Sequence, residues 1–130
     1  MNAEKEKPCI LIIDDTPAQI TALGRVLLPY YSVKTARSGE AGMKLLEEYT
    51  IDLILLDLFM PGLSGFDVLL LLKESDRLRN IPVVLITGGN EEDAEKGLSL
   101  GAVDVIRKPF KAEDVKRLSF RYVLNGNNRI

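Results

Sequence analysis

The apolar positions of this chain fall into two alternating patterns. Unbroken runs at Cys9–Ile13, Leu53–Leu56 and Pro82–Ile86 are too short for helices and rich in Ile, Leu and Val. They predict strands buried on both faces. Ser32–Ala36 alternates and carries the β-branched Val33 and Thr35, which predicts a short strand at a sheet edge. Val103–Arg107 predicts a fifth strand. Between the runs, apolar residues recur at helical spacing: Ile20, Leu23, Gly24, Leu27 and Leu28, then Gly42, Leu45, Leu46 and Tyr49, then Phe66, Val68, Leu69 and Leu72. Each set is the inward stripe of a helix laid on a sheet. The last helix, about 112–124, shows two stripes, Val115, Leu118 and Tyr122 beside Phe120, Val123 and Leu124. One domain does not easily bury both, so this helix is expected to pair with another chain or with something downstream.

Turn and cap residues sharpen these boundaries. Thr16-Pro17-Ala18-Gln19 reads as an N-cap, a first-turn proline and a glutamine reaching back in a capping box; Pro29 stops that helix. Ser38, Ser64 and Asn90 open the next three, with Asp67 favourably placed in a first turn. Gly101 closes the fourth. Leu70 and Leu71 point away from the third helix's inner stripe, as a partner surface or as scattered surface leucines.

Strand and helix alternate five times. The predicted fold class is therefore α/β: a five-stranded parallel sheet of order 2-1-3-4-5 with helices on both faces. At 130 residues the chain is read as one domain, 1–130, with a core at about 9–124 and flexible ends at 1–7 and 125–130.

Composition narrows the function more than the fold. A net charge of −2 argues against direct nucleic-acid binding. The charge is uneven, +5 over residues 107–130 and −7 over the remainder, so the basic end is either a solvated helix or a docking surface for an acidic partner. Cys9, the sole cysteine, is expected to be a small core filler. The polar start and the absence of any long apolar run predict a cytoplasmic protein without membrane contact.

The chemistry gathers at strand ends. If the strands are as read, Asp14-Asp15, Asp57, Thr87 and Lys108 share the carboxyl edge of the sheet, where open α/β folds bind ligands. Crowded carboxylates require a raised pKa or a bound cation. Oxygen ligands without histidine suit Mg²⁺ rather than zinc. With the Lys108 ammonium and the Thr87 hydroxyl available to phosphoryl oxygens, and Gly88 leaving room beside Thr87, the set is suited to phosphoryl transfer onto Asp57.

In this order, Asp14-Asp15, Asp57 with Met60-Pro61-Gly62 and Gly65, Thr87-Gly88 and Lys108-Pro109-Phe110 resemble the receiver domains of two-component response regulators, from about Cys9 to Leu124. The resemblance implies that Asp57 accepts phosphate from a histidine kinase or phosphotransfer protein. It implies that Asp14, Asp15, Asp57 and the Phe59 backbone carbonyl hold Mg²⁺. It further implies that Thr87, Gly88 and Lys108 form the phosphoryl-binding switch, and that Lys108-Pro109 is cis. Such domains place an aromatic residue where this chain has Val105. Signal output is then expected through helices four and five, to a homodimer partner or a downstream domain. The run from Glu91 to Asp104 resembles receivers joined to cyclic-di-GMP modules. No output segment follows Leu124, so either a stand-alone receiver or the front piece of a longer regulator is expected. The rival reading is a Mg²⁺-dependent aspartyl phosphatase, which typically needs an acid where this chain has Phe59.

Overall fold

The structure, a computed structural model, describes residues 7–127. Its elements are β1 (Cys9–Ile13), α1 (Pro17–Leu27), β2 (Ser32–Ala36), α2 (Gly39–Glu48), β3 (Leu53–Asp57), α3 (Gly65–Glu74), β4 (Val83–Thr87), α4 (Glu91–Ser99), β5 (Asp104–Arg107) and α5 (Ala112–Asn127). The sheet has the order β2-β1-β3-β4-β5, with every pair parallel. Both sheet arrangement and strand positions agree with the sequence reading. The flexible ends expected at 1–6 and 128–130 lie outside the described residues, whereas 125–127 continue α5 as helix.

Strand side chains alternate between faces, and the core divides accordingly. Leu11, Ile13, Ile54, Leu56, Val83 and Leu85 face one way, toward Leu46 of α2 and Val68, Leu69 and Leu72 of α3. Ile10, Ile12, Leu53, Leu55, Val84 and Ile86 face the other, toward Leu23 and Leu27 of α1 and Val115, Leu118 and Val123 of α5. β3 and β4 are buried throughout. Such strands need apolar side chains at consecutive positions, which is why they read as unbroken runs.

Four local expectations need correction. Thr16 makes no side-chain cap, and the box with Gln19 does not form. Asp14 Oδ1 already accepts the Thr16 N–H at 2.9 Å, so the donor that Gln19 would have reached is taken. Leu28 is the C-cap of α1 and 56% exposed, because the helix ends one residue before it. Tyr49 likewise lies past the end of α2, exposed, with the Lys34 ammonium 4.1 Å from its ring centre. In α5, Val123 joins the buried face while Tyr122 is half-buried. The Tyr122 hydroxyl donates to Asp104 Oδ2 at 2.8 Å, which pulls the ring toward β5. Only Phe120 and Leu124 of the expected second stripe stay outside.

Cys9 is half-buried, and burial pushes its thiol pKa up, which disfavours the reactive thiolate. Among the described residues, no helix is long and apolar enough to cross a membrane.

Two glycines in helices should respond in opposite ways to a methyl group. At Gly65, the first residue of α3, a Cβ would sit 2.5 Å from the Asp57 carbonyl oxygen and 2.7 Å from the Leu58 Cα. Backbone cannot step aside, so Gly65→Ala should cost about 2–3 kcal/mol. At Gly24 the nearest atom is Leu28 Cδ1 at 4.0 Å, so Gly24→Ala should stabilise α1 by up to about 1 kcal/mol. Urea unfolding of both variants checks the pair; equal effects would contradict the close approach at Gly65.

Candidate functional site

Parallel register brings the functional side chains together. Ile13 lies beside Leu56, Asp57 beside Ile86, and Thr87 beside Arg107. The residues that follow β1 and β5, Asp14-Asp15 and Lys108, therefore emerge at the level of Asp57 and Thr87. One carboxylate oxygen from each of Asp14, Asp15 and Asp57 lies within 4.8 Å of the other two. The Lys108 ammonium is 3.5 Å from Asp57 Oδ1 and 3.7 Å from Asp14 Oδ2. Every charged residue anticipated at this edge is there.

Two of the three carboxylates are held by local chain geometry. Asp57 ends a strand buried on both faces, and Gly65 passes so close beneath it that its N–H bonds the Leu58 carbonyl at 2.8 Å. α3 is anchored there by a complete capping box between Ser64 and Asp67. Asp14 is pinned by the turn it makes with Thr16 N–H. That contact was missed from sequence, although an aspartate two residues before an amide is a known local hydrogen-bonding turn.

Asp14 and Asp57 are almost fully buried, at 1% and 5% exposure. Burial is the first cause that raises the Asp57 pKa, and the neighbouring Asp14 charge the second. Lys108 and the Phe59 N–H, 3.5 Å from Asp57 Oδ1, oppose the rise without cancelling it. Asp14 Oδ2 is buried without a hydrogen-bond partner. Three converging carboxylates, one of which also has a buried oxygen without a hydrogen-bond partner, fit a hard divalent cation. The chemistry of the donor set agrees with Mg²⁺.

Thr87 is fully buried, and its Oγ1 accepts the Gly89 N–H at 2.9 Å. A Cβ on Gly88 would meet only Lys108 Cβ at 3.8 Å, an ordinary contact. The room beside Thr87 therefore does not depend on a glycine at 88. Crowding falls instead at Gly89, where a Cβ would lie 2.9 Å from both Asp93 Oδ2 and Phe59 Cε2 and 3.2 Å from Thr87 Oγ1. Phe59 itself is 51% exposed and meets Phe66 edge-on, forming part of the rim. Lys108-Pro109 is cis, and Val105, paired with Leu85, is half-buried.

A profile of the family described as the response regulator receiver domain matches residues 10–118. A probable cyclic di-GMP phosphodiesterase of Vibrio cholerae is 43% identical over 131 residues, 99% of this chain and 30% of that protein. The transcriptional regulatory protein AfsQ1 of Streptomyces coelicolor is 42% identical over 124 residues, 94% of this chain and 53% of that one. The chain thus spans about a third of the first relative and about half of the second. The crystal structure of the signal receiver domain of a histidine kinase from Syntrophus aciditrophicus superposes with a TM-score of 0.85 at 33% identity, covering 95% of this chain and 94% of that one.

The electrostatics predict a pH signature. Because the folded pKa of Asp57 is raised, its ionised form opposes folding: stability is fullest below the ordinary carboxylate pKa of about 3.9 and is lost as pH rises through the folded value. Asp57→Asn removes that loss. In metal-free buffer the variant should exceed wild type by on the order of 1 kcal/mol at about pH 7, and the gain should shrink toward about pH 4. Urea titrations at the two pH values measure it; a gain independent of pH would count against a raised pKa.

Proposed function

Because the chain belongs to the receiver domain family of response regulators, and receivers are phosphoacceptor switches of two-component signalling, we propose that Asp57 is the phosphoacceptor. The observation that carries this reading is the buried Asp57 carboxylate, at 5% exposure, flanked by Asp14 and Asp15 and reached by Lys108. One Asp57 oxygen attacks the phosphorus of a phosphohistidine on a histidine kinase or phosphotransfer protein. The P–O bond forms as the P–N bond breaks, and the imidazole leaves as the neutral base after taking a proton. The chain has no histidine of its own, so the donor is a different protein or domain.

Receivers as a family bind Mg²⁺ at an acidic pocket; here Asp14, Asp15, Asp57 and the Phe59 carbonyl would hold it. Bound there, the ion offsets negative charge on the transferring oxygens. Lys108 contributes a point charge to another oxygen, and its distances of 3.5 and 3.7 Å to Asp57 and Asp14 leave it shared between them before transfer. The Thr87 hydroxyl donates to a third oxygen once it turns from Gly89. Gly88 borders this space without being required to open it.

The consequence is a change of partner affinity on the face built from α4, β5 and α5, read by a downstream module or a second copy of the chain. Such a shift requires that the partner prefer one state over the other. A downstream module acting on cyclic di-GMP is the candidate that the Vibrio cholerae relative supports. A phosphatase acting on outside substrates is disfavoured because Phe59 cannot transfer protons to a leaving group.

Incubation with acetyl phosphate and Mg²⁺, followed by intact mass, tests the assignment. Wild type should gain one phosphoryl group that is lost on standing or at alkaline pH, while Asp57→Asn should gain none. Chelating the metal should slow modification at least about 100-fold, as expected for a group worth several kcal/mol. A label on any other residue would overturn the assignment.

A further inference from the structure

At the end of the sheet opposite the carboxylates, the close of α1 and the second half of α5 leave an open groove of about 340 Å³. Leu27, Tyr30, Tyr31 and Phe120 line it almost entirely with apolar surface, and Lys116 is its one charged wall. Phe120 is 63% exposed and Tyr30 54%, although both are large aromatic side chains. Leu124, one helical turn beyond Phe120, is 44% exposed and continues the strip. α5 buries Val115, Leu118 and Val123 on its other side, so the strip is surplus to the fold.

Charge limits what can cover this strip. The Lys116 ammonium stands 6.0 Å from the centre of the Tyr30 ring, and among the described residues it makes no ion pair. It lies one turn from Phe120 on α5, whose charged residues are Lys116, Arg117 and Arg121 against Glu113 and Asp114. A two-fold contact between copies centred on Phe120 would set Lys116 against Leu124 of an antiparallel helix or against Lys116 of a parallel one, and neither gives the desolvated ammonium a carboxylate. An occupant carrying carboxylates meets no such penalty.

We propose that this groove is a docking site for an acidic protein segment bearing one aromatic or large aliphatic anchor. The anchor fills the space between Tyr30, Tyr31 and Phe120, and a carboxylate beside it pairs with Lys116. Buried aromatic anchors with charged rims are where binding energy concentrates. The site stands apart from the carboxylate edge, so docking does not depend on the chemistry proposed for Asp57.

A phage-displayed random peptide library panned on the chain, with Phe120→Glu as counter-target, tests this directly. Selected peptides should share an aromatic or aliphatic anchor flanked by Asp or Glu. Synthetic copies should bind about ten-fold or more weakly to Phe120→Ala, as for an anchor contact. Lys116→Glu should reverse the preference toward Lys- and Arg-flanked peptides. Both positions are exposed, and unchanged urea midpoints would confirm that the variants fold. Asp57→Asn should bind like wild type. The proposal is overturned by peptides without acidic excess, by binding that survives Phe120→Glu, or by concentration-dependent dimerisation of the chain that Phe120→Glu abolishes.

Discussion

Three carboxylates held within 4.8 Å of one another, two of them buried, impose the constraint around which this molecule is built. In water such groups would separate; here the sheet holds them in place. A buried carboxylate loses solvation, and a neighbouring negative charge adds to the loss. Lys108 offsets part of that cost but is shared between Asp14 and Asp57. The scaffold must supply the remainder. It does so with two strands buried along their full length, a complete capping box on α3, and a glycine pressed against the backbone at Asp57. Stability elsewhere maintains an unfavourable arrangement whose unbalanced negative charge suits a cation.

The sheet was legible because parallel strands buried on both faces leave an unmistakable apolar run. The strand ends were legible for the same reason: Asp14, Asp57 and Thr87 stand where each run stops. What sequence could not reveal was competition for single hydrogen bonds. Thr16 and Gln19 have the spacing of a capping box, but Asp14 takes the amide they need. Nor could it divide the last helix correctly. Residues 115, 118, 120, 122, 123 and 124 are all apolar or aromatic, and periodicity alone does not say which of two overlapping stripes wins. The hydrogen bond from Tyr122 to Asp104, between distant parts of the chain, fixes the rotation that buries Val123. Gly88 and Gly89 are likewise indistinguishable as letters. Only the approach of Phe59 and Asp93 shows that crowding falls on the second.

Val105 raises a question about transmission. With no aromatic side chain at that position, the switch proposed for Asp57 would need another route, and the helices differ in how firmly they are held. α3 buries Val68, Leu69 and Leu72, whereas α4 buries only Ala94 and Gly97. Small side chains surrender little apolar contact when they move, so α4 is held more weakly than α3. The exposed Arg107–Glu91 ion pair that also ties α4 to β5 adds little in water.

The link from Thr87 to α4 is short. Thr87 Oγ1 accepts the Gly89 N–H, and Gly89 immediately precedes Asn90, whose side chain caps α4 by accepting the Asp93 N–H. In the proposed switch, a hydroxyl that turns toward a phosphoryl oxygen gives up its place beside that amide. The freed N–H is half-buried and must find a new partner, because an unmet donor costs about 1–3 kcal/mol. That is enough to repopulate a loosely held helix and too little to disturb β3 or β4. Gly89 also has little free space around it, since a Cβ there would lie 2.9 Å from both Phe59 Cε2 and Asp93 Oδ2. In that proposed switch, the backbone of the β4–α4 connection would carry the change to the α4 face without passing through residue 105.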